Sequence, residues 1–238
     1  MKRSDPKICL ALDGLSPRQA CDLAGLLAPW IYAAKIHNLY DAEGKKLLSH
    51  LNELGVTPWI DYKIHDTRDT AGLRIQALIE NGAKIITTHA SGGIPMMKAA
   101  VEATLVMGEA TAEIWAITLL TSLDDAEIRR IYGSDRTREQ IVLELALMGK
   151  EAGAHGLVCS ALEVGMLSAH PNLQGIKLVV PGTRSVGVDL GQQKRSGTPL
   201  QAITDGATHL VAGSQVTKAK DPVAAFKALA LEIGMSLD

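Results

Sequence analysis

The chain has 238 residues, enough for one sizeable domain, and α/β barrels of roughly 200–250 residues are commonly single units. Lys and Arg number 24 against 26 Asp and Glu, and aromatic residues make up only 3%. This balance argues against a polyanionic partner and against the base-stacking platforms of nucleic-acid binders.

The opening stretch MKRSDPKICLALD has an apolar run that ends at Asp13 after five residues, short of a signal h-region or a membrane span. A cytoplasmic protein without a membrane partner is expected. Cys9, Cys21 and Cys159 show no Cys-x-x-Cys spacing, so they are read as packed thiols rather than disulfide or zinc ligands.

In chain order, the first predicted strand is ICLALD (8–13), followed by the amphipathic segment SPRQACDLAGLLAP (16–29). Ser16 suits an N-cap and Pro17 the first helical position. Further strands are WIYAAKI (30–36), PWIDYKI (58–64), KIITTHA (84–90) and EIWAITLLT (113–121). GLVCSA (156–161), KLVVPG (177–182) and HLVAGS (209–214) complete a set of eight. AGLRIQALIENG (71–82) and ELALMGKEAG (144–153) read as helices that close near a Gly. Short β-branched runs alternating with helical periodicity indicate βα units on a parallel sheet. Eight such units, with no Gly-x-Gly-x-x-Gly turn after the first strand, fit a (β/α)8 barrel in one domain over 1–238.

The stretch DYKIHDTRDT (61–70) crowds charge between two apolar segments. In a strand, Asp61, Lys63 and His65 share one face and Tyr62 and Ile64 the other. Desolvating such groups costs several kcal/mol each unless they are paired, so the run is either a structural ion pair or a reactive centre. Barrel enzymes carry their chemistry at the C-terminal ends of the strands. Polar residues collect at those ends: Asp13, Lys35, His37, Asp61, Lys63, His89, Thr121, Ser122 and Arg184. A structural pair needs no such rim, which favours the reactive reading. Each residue also has a plainer role: Asp13 as a helix cap, Lys35 as a solvated lysine, His89 as a packing residue. His37 and His65 are likewise left out of the catalytic set.

Together these residues resemble the orotidine 5′-monophosphate decarboxylase family, end to end. The most specific piece is Asp-x-Lys-x-x-Asp at Asp61, Lys63 and Asp66, with Thr70 four residues on. Supporting pieces are ALD (11–13), KI (35–36), THASGG (88–93), LLTS (119–122), PGTR (181–184) and TKAKDP (217–222). The resemblance implies a cofactor-free, metal-free decarboxylation of orotidylate to UMP. Lys35, Asp61, Lys63 and Asp66 would form an alternating Lys-Asp-Lys-Asp array in which opposite neighbours keep every member charged. It implies that Asp66 and Thr70 serve the neighbouring subunit of a homodimer. It further implies that Asp13 holds a ribose hydroxyl, Thr121 the pyrimidine, and Arg184 and Gln193 the phosphate, with Pro181, Gly213 and Ser214 lining the site. SVGVDLGQQKRSG (185–197) would be the lid.

Three departures stand out. Ser214 follows the strand-8 glycine where the family usually carries a phosphate-gripping arginine. His37 and Asn38 stand where a glycine is common, and Thr67 and Arg68 replace an Ile-Pro pair. Two other readings remain: a magnesium-dependent sugar-phosphate decarboxylase or aldolase of the same barrel superfamily, against which Lys35 argues, and a non-catalytic nucleotide-binding relative.

Overall fold

The computed structural model describes residues 7–106, 108–133, 135–187 and 197–237. Eight parallel strands close into a barrel: β1 (Ile8–Ala11), β2 (Ile31–Ile36), β3 (Pro58–Ile64), β4 (Ile85–His89), β5 (Glu113–Ile117), β6 (Gly156–Val158), β7 (Lys177–Pro181) and β8 (His209–Ala212). The expected (β/α)8 architecture is the observed one. Several strands stop two or more residues before the predicted end, because the register ladder gives way to loop: β1 pairs with β2 only as far as Ala11 and Lys35. A small antiparallel hairpin, Leu105–Val106 with Glu109–Ala110, lies before β5 and was not expected.

Helix α1 (Pro17–Leu27) begins with a full capping box between Ser16 and Gln19 and has Pro17 in its first turn, as its sequence predicts. After α2 (Asn38–Glu43) and α3 (Lys45–Glu53), α4 (Arg68–Glu80) begins three residues before the predicted start. α5 (Ile94–Glu102) and α6 (Asp125–Tyr132) follow, and α7 (Arg138–Glu151) begins six residues early on a Thr137–Gln140 capping box. The first turn of α4 is polar, so its apolar face starts only at Ala71, whereas in α7 the buried Ile141 and Val142 already lie ahead of the predicted start. The predicted closing glycines hold: Gly82 and Gly153 have φ of 103° and 85°, a conformation cheap only for glycine.

Side-chain alternation sends Trp59 and Trp115 into the barrel, where their rings meet edge to face at 4.7 Å. Below them, Lys177 bonds Glu113 and reaches the Tyr32 hydroxyl at 2.8 Å, while the His209 ring packs on Tyr32 at 4.1 Å. This layer closes the N-terminal end of the barrel, and the opposite end stays open. Among the described residues, no helix is long and apolar enough to cross a membrane.

Candidate active site

The open end holds a cavity of about 290 Å³ lined by residues from seven of the eight strands or the loops just beyond them, including Lys35, Asp61, Lys63, Thr121 and Arg184. The same alternation that buries Trp59 points Asp61, two residues on, into the cavity floor. Lys35 does the same from the end of β2, and both side chains are buried.

Asp61 is the hub. Its Oδ2 lies 3.1 Å from Lys35 Nζ and 2.8 Å from Lys63 Nζ, and its Oδ1 accepts from the Thr87 hydroxyl at 2.9 Å. Lys35 Nζ also meets Asp13 Oδ2 at 2.7 Å. The remaining Asp13 oxygen faces His37 Nε2 at 3.1 Å without the alignment of a hydrogen bond. Burial alone would raise the Asp61 carboxyl, but Lys35, Lys63 and the Thr87 hydroxyl outweigh it and hold the group below the ordinary aspartate value. Lys35 is the mirror case: burial works against its charge, and Asp61 and Asp13 overcome it, so its pKa is raised. The result is a fixed alternation of charges in a partly water-excluded floor.

Lys63 reaches this position from an unusual backbone. Its φ is +49°, the only positive value of a non-glycine residue among those described. The register explains why: Ile60 pairs with Ile86, yet Ile64 pairs with Thr88, so four residues of β3 advance against two of β4. The slack is a bulge, the device that re-aims side chains beside functional sites. Simple alternation therefore predicts the direction of Asp61 but not the turn that presents Lys63. Thr87 was not among the predicted residues. The available signal is a pair of buried threonines, Thr87 and Thr88, in a short strand, and alternation puts only one of them on the face of the neighbouring charged centre.

On the β7–β8 side of the cavity, Arg184 donates from Nη1 to the Thr183 carbonyl at 2.8 Å and from Nη2 to Ser214 Oγ at 3.2 Å. Asp13, Thr121, Pro181, Gly213 and Ser214 all line the cavity with Arg184. Asp66 and Thr70 do not: both are exposed, the Asp66 carboxylate faces Arg74 at 3.5 Å, and the Thr70 hydroxyl bonds Thr67 at 2.9 Å. Gln193 and most of the predicted lid segment lie outside the described residues. His65 and His89 pack edge to face at 5.7 Å, and burial first, then His65 and Lys63, lower the His89 pKa. Among the described residues, no three His, Cys, Asp or Glu side chains converge as a metal site.

The model of the orotidine 5′-phosphate decarboxylase / HUMPS family matches residues 6–229. A protein of Pseudoalteromonas translucida named orotidine 5′-phosphate decarboxylase is 38% identical over 219 residues, 92% of this chain and 93% of its own. Its namesake from a Marinomonas species is 35% identical over 229 residues, covering 96% of this chain and 97% of the relative. The crystal structure of orotidine 5′-phosphate decarboxylase from Lactobacillus acidophilus superposes with a TM-score of 0.81 at 28% identity, covering 97% of this chain and all of that one.

Proposed function

The chain belongs to the orotidine 5′-phosphate decarboxylase / HUMPS family, and we propose that it converts orotidylate to UMP and CO2, as a cytoplasmic enzyme of pyrimidine biosynthesis, without a metal or organic cofactor. The observation that carries this reading is the Asp61 carboxylate held between two lysines, 3.1 Å from Lys35 and 2.8 Å from Lys63, on the floor of the cavity.

Losing CO2 from C6 leaves an electron pair on a ring carbon with no carbonyl placed to delocalise it. The stabilisation has to be electrostatic, from charges already oriented before the bond breaks. Lys63 supplies that charge. Its ammonium faces the developing carbanion and then transfers a proton to C6, completing UMP. Asp61 orients Lys63 and stands near the departing carboxylate, while Lys35 keeps Asp61 ionised and is anchored by Asp13. Asp13 also meets a ribose hydroxyl. The pyrimidine lies against Thr121, and the phosphate lies toward Arg184, Gln193 and the Gly213–Ser214 turn.

The array lacks its last carboxylate within one chain, since Asp66 points away from the cavity. A homodimer in which Asp66 and Thr70 reach the partner's site would complete it. The magnesium-dependent alternative is less well supported, because the Lys35 ammonium occupies the space between Asp13 and Asp61 where a cation would bridge carboxylates. Loss of orotidylate absorbance with formation of UMP, measured with and without EDTA, tests the reading. EDTA-insensitive turnover is expected. No turnover, or activity abolished by EDTA and restored by magnesium, would overturn it.

A further inference from the structure

Thr87 does not line the cavity, is fully buried, and is used by none of the contacts proposed for the substrate. Its hydroxyl nevertheless joins the two parts of the centre that have to stay in register. It donates to Asp61 Oδ1 at 2.9 Å and accepts from the Lys63 main-chain N–H at 3.0 Å. The directions are fixed by chemistry: an ionised carboxylate can only accept, a main-chain N–H can only donate, and a hydroxyl does both at once.

We infer that Thr87 is a positioning residue whose hydroxyl locks the Asp61 side chain to the turned backbone of Lys63, and so sets where the Lys63 ammonium stands. The inference rests on the decarboxylase reading for its catalytic consequence, but not for its structural one. The bulge shows why such a lock is needed. Between the Ile60–Ile86 and Ile64–Thr88 pairings, β3 runs out of step with β4, so the Lys63 N–H has no place in a regular ladder. The Thr87 side chain takes the place of the missing strand carbonyl. A left-handed φ on a lysine persists only where its surroundings over-determine it, and here the N–H of that residue is held from the neighbouring strand.

Thr87→Val keeps the shape and removes both bonds, whereas Thr87→Ser keeps the hydroxyl. The valine variant should lose about tenfold or more in kcat, the scale of one hydrogen bond to a charged group, with KM changing less than about threefold. The acid limb of kcat against pH should move upward, because Asp61 loses a donor that favours its ionised form. The serine variant should restore kcat to within about threefold of the parent and return the limb to its place. Crystal structures of the ligand-free variants give a readout that needs no activity: in Thr87→Val the Asp61–Lys63 contact should open or Lys63 should leave the left-handed region, and in Thr87→Ser neither should change. If Thr87→Val does not fold, Thr87→Cys, a weak donor of similar size, should show the same changes in smaller degree.

A folded valine or cysteine variant with unchanged kcat and pH limb would overturn the inference, as would a serine variant as impaired as the valine one. If the parent protein does not turn over orotidylate but the valine structure shows the centre opened, the lock stands and the substrate reading falls.

Discussion

Lys63 meets the Asp61 carboxylate at 2.8 Å from a main chain turned to φ of +49°. Two residues that a regular strand would point side by side are instead brought into contact by a bulge. A non-glycine residue in that region costs about 1–2 kcal/mol, and the fold retains it where the ammonium is presented to the cavity. Lys63→Ala should therefore abolish turnover without unfolding the protein, and a variant keeping a tenth of the parent kcat would sink the proton-donor role. Lys63→Gly should be equally inactive yet more stable than Lys63→Ala by about 1 kcal/mol, since glycine adopts positive φ without strain. Equal urea midpoints for the two variants would mean that the turn stores no strain.

Asp66 faces away from the cavity and toward Arg74, so the proposed array is completed only by a second chain. Lys63→Ala and Asp66→Asn chains should each be inactive alone. Mixed and allowed to exchange, they should regain activity, with heterodimers carrying up to one intact site. Continued inactivity despite exchange shown by mass spectrometry would argue that the site is not shared.

The closed end of the barrel should govern acid stability. His209 is buried against Tyr32 and Trp115 with Lys177 and Glu113 nearby, and burial first, then Lys177, lowers its pKa from 6.5 to about 4. The folded state therefore disfavours the protonated ring. His209 costs the fold nothing above pH 6.5, and stability is lost as pH falls from there toward 4. At 1.36 kcal/mol per pKa unit the loss amounts to about 3 kcal/mol. Urea midpoints should drop across this window in the parent. His209→Phe, which keeps an aromatic ring on Tyr32, should flatten the drop. A parallel decline in both proteins would assign acid sensitivity to other groups.

Much of this architecture was legible because it is written in period and punctuation. Ser16–Pro17 marked the start of α1, Gly82 and Gly153 marked helix ends, and polar residues at successive strand ends marked the working face. Less legible was whatever depended on two strands at once. The Lys63 turn arises from a mismatch between β3 and β4, and the role of Thr87 arises from what stands opposite it. The α4 start at Arg68 is hidden for a simpler reason, that a polar first turn has no apolar face to reveal it, whereas Ile141 and Val142 of α7 do offer such a face ahead of the predicted start.

Ser214 is where this chain departs from the pattern it resembles, and the structure sharpens what an arginine there would do. Arg184 Nη2 donates to Ser214 Oγ at 3.2 Å, so the serine orients one guanidinium rather than supplying a second. Replacing it by arginine removes that contact and adds a cation on the β7–β8 side of the cavity, where the substrate phosphate is proposed to lie. Without an anion the two guanidinium groups repel, and with a dianion between them each gains charge-assisted hydrogen bonds of about 1.5–3 kcal/mol. Net of the lost contact, Ser214→Arg should raise kcat/KM for orotidylate by about tenfold and leave phosphate-free orotidine little changed. Raised ionic strength should erode the gain, since the added term is electrostatic and partly solvent-exposed. An arginine variant that is folded but no better with orotidylate would mean that another cation already serves the phosphate, or that the phosphate does not lie beside Arg184.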